Sequence, residues 1–186
     1  MVWTSRLRLR LAARQLRQGG LVAYPTEAVW GLGCDPRNEA AVAALLALKR
    51  RPAAKGLILV AADFGQLKPF LDILADGMRG RLLASWPGPV TWIVPAAPGL
   101  PRWLCGRRGT LAVRVTAHPV ASALCREFGG AVISTSANPS GARPARTLLE
   151  TRRHFTRARL CFLPGPLGSL DRPTAIFDAR SGARMR

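Results

Sequence analysis

LVAYPTEAVWGLG, at residues 21–33, is an apolar run that enters a turn at Pro25 and leaves it through two glycines. The run predicts a buried strand that ends at Tyr24. The polar turn after it has two interpretations that spacing alone supports equally. Backbone at the glycines can approach a ligand closely, or the segment is a hairpin-like turn with Tyr24 and Trp30 in the core. Either way, a buried strand that runs into a polar turn is the pattern on which the fold depends.

Strands and helices alternate on both sides of this segment, as the spacing of apolar residues indicates. The pattern predicts an α/β fold with a mixed sheet in one domain, without repeats or a linker. Further buried strands are predicted at residues 57–60, 91–94, 111–115, 131–135, 160–163 and 174–177. Helices are predicted near residues 5–18, from Asn38 to Leu48, at residues 67–74, from Pro119 to Phe128 and, as a short one, from Thr147.

Length and composition exclude several classes of protein. The 186 residues suffice for a domain that buries most of its unfolded surface. The longest apolar stretches, residues 40–48 and 57–62, are far shorter than the roughly 20 residues that span a bilayer. Arginines interrupt the N-terminal segment, so no signal-peptide core remains. Four cysteines without a C-x-x-C pair are typical of reduced thiols. We therefore expect a cytoplasmic protein with no membrane partner and no metal held by the protein.

The charge balance favours an acidic partner. Lys and Arg together number 28 against 10 Asp and Glu, and 25 of the 28 are arginines. A net charge of +18, carried by groups that match phosphate oxygens, favours RNA or another polyphosphate. A codon composition rich in arginine would explain the ratio of Arg to Lys, but it would not explain the scarcity of acids. An anionic partner is therefore the better interpretation.

Familiar catalytic signatures do not occur in the sequence. It contains neither G-x-x-x-x-G-K-[ST] nor a G-x-G-x-x-G that opens a helix after a strand, which excludes the standard nucleotide loops. H-E-x-x-H, a nucleophile elbow and a close pair of carboxylates do not occur either. The sequence therefore offers few groups that could act as a catalytic acid or base. The chain offers polar clusters at the ends of predicted strands and helices instead, where open α/β sheets bind their ligands.

After the polar turn within residues 21–33, the next polar cluster consists of three cations around Pro52 at the end of a predicted helix. They are Lys49, Arg51 and Lys55. Cations at a helix C-terminus complement the helix dipole, which is the commoner reason for such a run. Three cations around one turn can also clamp a triphosphate. Both interpretations stay open at this point.

Two further clusters carry hydroxyl and amide groups. In WPGPVT, at residues 86–91, two prolines fix the backbone before Thr91, although this pattern also suits a plain structural turn. In STSANPSG, at residues 134–141, Ser134, Ser136 and Asn138 follow a predicted strand. Such residues often cap their own loop backbone. They are equally suited to bind a phosphate, a ribose or an amino acid.

Five motifs in a fixed order carry a resemblance to a known family. Together they resemble the YrdC-like family, and the resemblance covers residues 21 to about 177. The motifs are YPTEAVWGLGCDP at 24–36, LKRRPAAKGLIL at 48–59, WPGPVT at 86–91, LAVRVTAHP at 111–119 and STSANPSG at 134–141.

The resemblance implies a fold, an activity and partners. The fold is a single twisted, open α/β domain with a mixed parallel and antiparallel sheet, here over residues 1–186 and without the C-terminal extension domain of longer members. The activity is the joining of L-threonine, bicarbonate and ATP into threonylcarbamoyl-AMP, with release of diphosphate. Other proteins then transfer the threonylcarbamoyl group to the tRNA adenosine beside the anticodon. Relatives are reported to bind RNA, which agrees with a basic face.

The resemblance also implies roles for individual residues. Mg²⁺ accompanies ATP, and the carbamate formed from threonine and bicarbonate is already an anionic nucleophile, so cations and hydroxyls suffice. By this hypothesis Lys49 and Arg51 are catalytic, and Thr26 and Arg114 hold threonine or its carbamate. The residues expected to bind ATP are Arg51, Lys55, Thr91, Ser134, Ser136 and Asn138.

Three departures weaken the implied threonine pocket. Many relatives have Thr, Pro and His where this chain has Ala28, Gly56 and Val60. Two other functions compete with the synthase. One is a non-catalytic module that binds double-stranded RNA or tRNA, which the net charge of +18 favours. The other is carbamoyl transfer from carbamoyl phosphate, as in hydrogenase-maturation proteins, which the absence of their accessory regions opposes.

Overall fold

The computed structural model describes residues 4–52, 56–106, 108–156 and 158–185. They form an α/β fold, as predicted. The helices are α1 (Arg6–Arg17), α2 (Glu39–Lys49), α3 (Asp76–Ser85), α4 (Arg102–Cys105), α5 (Pro119–Phe128) and α6 (Leu148–His154). The strands are β1 (Leu21–Pro25), β2 (Trp30–Cys34), β3 (Ile58–Ala61), β4 (Val90–Pro95), β5 (Thr110–Val115), β6 (Val132–Ser136), β7 (Leu160–Phe162) and β8 (Ala175–Asp178).

The eight strands of the described residues form one mixed sheet, in the order β7-β1-β2-β6-β3-β5-β4-β8. Three neighbouring pairs are parallel, β1 with β7, β3 with β5 and β4 with β8, and the other four are antiparallel. This confirms the predicted mixed sheet. The segment at residues 21–33 forms the antiparallel hairpin of β1 and β2, with Tyr24 and Trp30 both buried.

The two faces of the sheet are covered unequally, and this positions the site. Leu9 and Leu16 of α1 and Leu124 of α5 pack on one face against Val22 and Val132. The larger core lies on the other face, where α2 packs. On the first face, β2 places Gly31 and Gly33 beside Ser136 and Ser134 of β6. Small residues and hydroxyls thus replace the apolar side chains along that part of the face.

The sequence prediction was wrong at residues 67–74. A 3₁₀ turn at Lys68–Phe70 occupies the predicted helix, and Leu71 has an extended backbone that bridges to Ala96 of the neighbouring strand region. The true helix, α3, follows at Asp76–Ser85 and buries only Leu82. Because one buried residue creates no apolar period, the spacing of leucines gave no signal for α3.

Candidate active site

A cavity of about 210 Å³ opens on the sheet face beside the first residues of β2 and the last residues of β6. Five of the residues that the sequence nominated lie on its wall, namely Thr26, Arg51, Arg114, Ser134 and Ser136. They come from segments up to 110 positions apart, and the sheet register brings them together. The wall also includes apolar groups from Ala28, Val29, Leu57, Ile58, Pro144 and Pro173. The cavity thus combines cations and hydroxyls with an apolar lining, as small-molecule sites commonly do.

Gly31 leaves room for the cavity at the centre of the wall. A Cβ atom at this position would stand 3.0 Å from the Thr26 Cγ2 methyl and 3.4 Å from the Ser134 hydroxyl oxygen. At Gly33, a Cβ would stand 2.5 Å from the backbone oxygen of Ile133, closer than any real contact allows. The two glycines therefore differ in function, since Gly33 permits strand pairing and Gly31 keeps space beside the polar groups.

Thr26 uses its hydroxyl proton within its own turn. The hydroxyl donates to the backbone oxygen of Val29 at 2.7 Å, and the Thr26 backbone N–H donates to the same oxygen at 3.2 Å. A hydroxyl that already donates its proton can only accept from a ligand. Thr26 is therefore suited to an N–H group, such as an amine, rather than to a phosphate oxygen.

Arg114 lies almost fully buried on β5, with two partners. Its Nη2 lies 3.1 Å from Glu27 Oε2, and its Nη1 donates to the hydroxyl of Thr174 at 2.7 Å. The other oxygen of Glu27 accepts from the Thr116 hydroxyl. Sequence reasoning gave Glu27 no role, although it is the first acidic residue of the chain and falls within the first polar motif. Its contact with Arg114 joins positions 87 residues apart, which no local pattern reveals.

Arg51 lies two residues after the end of α2 and belongs to the cavity wall. Its Nη2 donates to the backbone oxygen of Gly56, two residues ahead of β3, at 3.1 Å. The planar fork of N–H donors on a guanidinium matches the oxygens of a phosphate. Lys55, nominated for the same role, lies outside the described residues.

Lys49 is placed differently from the prediction. It is 2% exposed and does not belong to the cavity wall, and its ammonium donates to the backbone oxygens of Ser136 and, at 2.8 Å, Asn138. In return, the Lys49 backbone oxygen accepts from Ser140 N at 2.7 Å. Burial, and then the nearby Arg51 charge, lower the pKa of Lys49 to about 8. Lys49 thus joins α2 to the loop after β6, and direct phosphate contact stays a prediction.

Thr91 and Asn138 also lie off the cavity wall. Thr91 is fully buried on β4 at the level of Arg114, and its hydroxyl has no hydrogen-bond partner among the described residues. The Asn138 amide donates to the backbone oxygens of Pro139, at 2.9 Å, and Ala142, at 2.7 Å. The amide therefore shapes its own loop, which was the alternative interpretation of this cluster.

The inventory of possible metal ligands is sparse. Within the described ranges, no group of three or more His, Cys, Asp or Glu side chains is close enough together to hold a metal ion. The four cysteines are free thiols, and Cys34 and Cys125 are buried. No helix in the described part of the chain is long and apolar enough to cross a membrane.

Comparisons with known proteins identify the family of this chain. Residues 14–185 match the family model of Sua5, YciO and YrdC proteins, described as Telomere recombination. The chain belongs to this family. A relative from Methylococcus capsulatus, named threonylcarbamoyl-AMP synthase, is 60% identical over 186 residues, which is the full length of both chains. A relative of the same name from Halorhodospira halophila is 61% identical and covers 98% of this chain and 96% of its own.

Solved structures share the fold. P. abyssi Sua5 complexed with L-threonine superposes with a TM-score of 0.89 over 97% of this chain, at 29% identity. This chain spans about half the length of that Sua5 chain, 53%. E. coli YciO superposes with a TM-score of 0.80 at 26% identity, over 94% of this chain and 84% of its own. The sequence-based expectation of a YrdC-like fold is confirmed.

Proposed function

We propose that this chain is a threonylcarbamoyl-AMP synthase, which joins L-threonine, bicarbonate and ATP and releases diphosphate. The observation that carries the proposal is the convergence of Thr26, Arg51, Arg114, Ser134 and Ser136 on one cavity. Full-length relatives at about 60% identity bear that name, which supports the same substrate set here. An L-threonine complex of the related P. abyssi protein supports an amino-acid pocket in this fold.

The proposed chemistry suits a site with few acids and bases. The amine of threonine and bicarbonate give a carbamate and water. An oxygen of the carbamate then attacks the α-phosphorus of ATP, a new O–P bond forms, and the bond to diphosphate breaks. Because the carbamate is already anionic, the step depends on alignment and charge neutralisation more than on a general base.

The geometry supports a division of labour in the cavity. Thr26 accepts an N–H from threonine or its carbamate, and Arg114 donates to its carboxylate. Arg51 neutralises the triphosphate and the transition state, and the same role is proposed for Lys55 from its place in the sequence alone. Ser134 and Ser136 offer hydroxyls to the nucleotide or carbamate, whereas Thr91 and Asn138 lie off the cavity wall. In this scheme Lys49 contributes by holding the loop at residues 136–140, in addition to any direct contact with phosphate.

Mg²⁺ enters this proposal as the companion of ATP. Among the described residues, the cavity wall contains hydroxyls and guanidinium groups but no carboxylate, which fits an ion held chiefly by the phosphates of the nucleotide. Bound in this way, Mg²⁺ would neutralise phosphate charge during diphosphate release.

One experiment tests the activity and one residue of the mechanism. Purified protein is mixed with MgATP, labelled bicarbonate and either L-threonine or L-serine, and a labelled adenylate is sought by chromatography. We expect a product that depends on threonine, and Arg51→Ala is expected to slow its formation by about 10²–10³-fold. Arg50→Ala is the matched control, because Arg50 is exposed and carries the same charge. A threonine-dependent product formed at the wild-type rate by Arg51→Ala would remove Arg51 from the mechanism.

A second part of the proposal concerns RNA in the cytoplasm, where tRNA and the transfer proteins would take up the product. The first 26 residues contain five arginines and no acid, and Arg6, Arg8 and Arg14 are exposed on α1. Such a face favours phosphate contacts.

Replacing these three arginines by glutamine should reduce the salt dependence of tRNA binding, by a slope of about 0.9 for each phosphate that the protein no longer neutralises. Equal slopes would place RNA elsewhere, and RNA binding without ATP turnover would favour the non-catalytic module.

A further inference from the structure

A buried ion pair stands behind the cavity wall. Arg114 is 5% exposed and Glu27 is 7% exposed, and their charged groups are 3.1 Å apart. Thr174 accepts from the other terminal nitrogen of Arg114, and Thr116 donates to the other oxygen of Glu27. Both terminal nitrogens of Arg114 therefore contact protein groups, whereas its Nε has no hydrogen-bond partner among the described residues. Arg114 belongs to the cavity wall, whereas Glu27 does not.

The backbone around Glu27 is fixed as well. Gly168 N donates to the backbone oxygen of Thr26 at 3.0 Å, and Leu170 N donates to that of Glu27 at 3.1 Å. A Cβ atom at Gly168 would stand 2.7 Å from the backbone oxygen of Glu27, so the two backbone segments approach as closely as glycine permits. These contacts anchor the segment that leads to Thr174. Glu27 is therefore held from three sides and has little freedom to follow a moving arginine.

Resting on the function proposed above, we propose that Glu27 is a positioning residue: it fixes the Arg114 guanidinium so that the remaining N–H donors of Arg114 meet the carboxylate of L-threonine. A guanidinium binds a carboxylate through a planar fork, so its orientation decides how well the two groups pair. A buried arginine without a counter-charge is costly and tends to move toward water. Thr116 in turn fixes Glu27, as a supporting group does for a binding residue.

L-threoninol provides a probe of this role, because it is L-threonine with an alcohol in place of the carboxylate. The affinities of both compounds are measured by isothermal titration calorimetry for wild type, Glu27→Gln and Thr116→Val, and their ratio is compared. Thr151→Val is the matched control, since Thr151 is a fully buried threonine whose hydroxyl donates to the backbone oxygen of Thr147, the N-cap of α6. Thermal melts of each variant record whether the fold is retained.

We expect the preference for threonine over threoninol to fall about tenfold in Glu27→Gln and less in Thr116→Val, as removal of supporting partners at other sites costs roughly 10–100-fold. An unchanged ratio in folded variants would make Glu27 merely structural and overturn the proposal. A larger ratio would also overturn it, because Glu27 would then only weaken anion binding. Where Glu27→Gln does not fold, Thr116→Val decides.

The test separates this proposal from the proposed activity. Wild type that prefers threonine but forms no threonylcarbamoyl-AMP contradicts the activity, and the ratio in the variants still decides the role of Glu27. Wild type that binds both compounds equally overturns the role of Arg114, and that of Glu27 with it.

Discussion

Replacing Lys49 by methionine is expected to loosen the loop after β6 and to lower the stability of the protein. Methionine keeps the length and apolar character of the side chain but removes every donor. The backbone oxygens of Ser136 and Asn138 then lose a charged partner in a buried position. The Ser136 oxygen keeps its bond from Asn138 N, at 3.0 Å, whereas the Asn138 oxygen is left without a donor. One buried acceptor left unpaired costs about 1–3 kcal/mol, part of which is offset because the buried ammonium is removed too. We expect a net decrease of about 1–2 kcal/mol in the free energy of unfolding and, at this size, a fall in Tm of roughly 2–8 °C.

The assay combines thermal unfolding with hydrogen exchange and steady-state kinetics. Faster exchange at residues 136–140 in Lys49→Met would locate the effect in the loop, and a raised KM for ATP would connect the loop to the nucleotide. Arg50→Met is the control, since it removes a charge one position further along at an exposed site. An unchanged Tm and unchanged exchange, together with a greatly reduced rate, would refute the reasoning, because Lys49 would then act on the substrate and not on the loop.

Three other predictions use different features of the structure. Gly31→Ala should keep the Tm within a few degrees but raise the KM for threonine. Gly33→Ala should lower the Tm markedly, because its Cβ meets a backbone oxygen at 2.5 Å. Equal Tm values for the two variants by calorimetry would contradict this prediction. Arg50→Gly should raise stability by about 0.5–1 kcal/mol, since Arg50 has φ 50° at the C-cap of α2, and a chemical denaturation curve checks it. Burial lowers the pKa of Lys49 to about 8 in the folded protein, so between pH 8 and 10.5 the unfolded chain binds more protons than the folded protein. The stability of the wild type therefore rises with pH in that window. The destabilisation caused by Lys49→Met should grow by about 2–3 kcal/mol across the same window. A constant difference in unfolding free energy across that window would mean that the proton stays on Lys49.

Local patterns predicted most of the fold because apolar residues recur with a clear period in most helices and strands. The helix at Glu39–Lys49 begins after Asn38, whose side chain accepts from Ala41 N, as the sequence predicted. The short helix predicted from Thr147 is confirmed as α6, and the structure shows that a capping box of Thr147 with Glu150 begins it. The strand order could not be predicted, since antiparallel pairing of β6 with β2 and β3 joins segments about 75–100 positions apart. Nothing within one motif specifies such pairs.

Site residues were predictable where strand geometry alone decides which face of the sheet a side chain is on. Ser134 and Ser136 are two positions apart on β6, so they face the same side and reach the cavity together. Lys49 shows the limit, since its long side chain turned toward backbone oxygens and a helix-end position does not reveal which way such a chain turns. The polar turn within residues 21–33 had two interpretations, a hairpin-like turn or a turn that approaches a ligand. The structure makes it a hairpin whose turn residue Thr26 lines the cavity.

The net charge of +18 is a poor guide to how this site holds an anion. Of its buried cations, Lys49 is compensated by backbone oxygens and Arg114 by the carboxylate of Glu27, so part of each charge is directed at the protein itself. This compensation has a physical reason, because an uncompensated buried charge would lower its own pKa or leave the site. The directional N–H groups that remain on Arg114 are what can discriminate a carboxylate from an alcohol. Adding further surface arginines would therefore speed encounters with anions without improving selection among them.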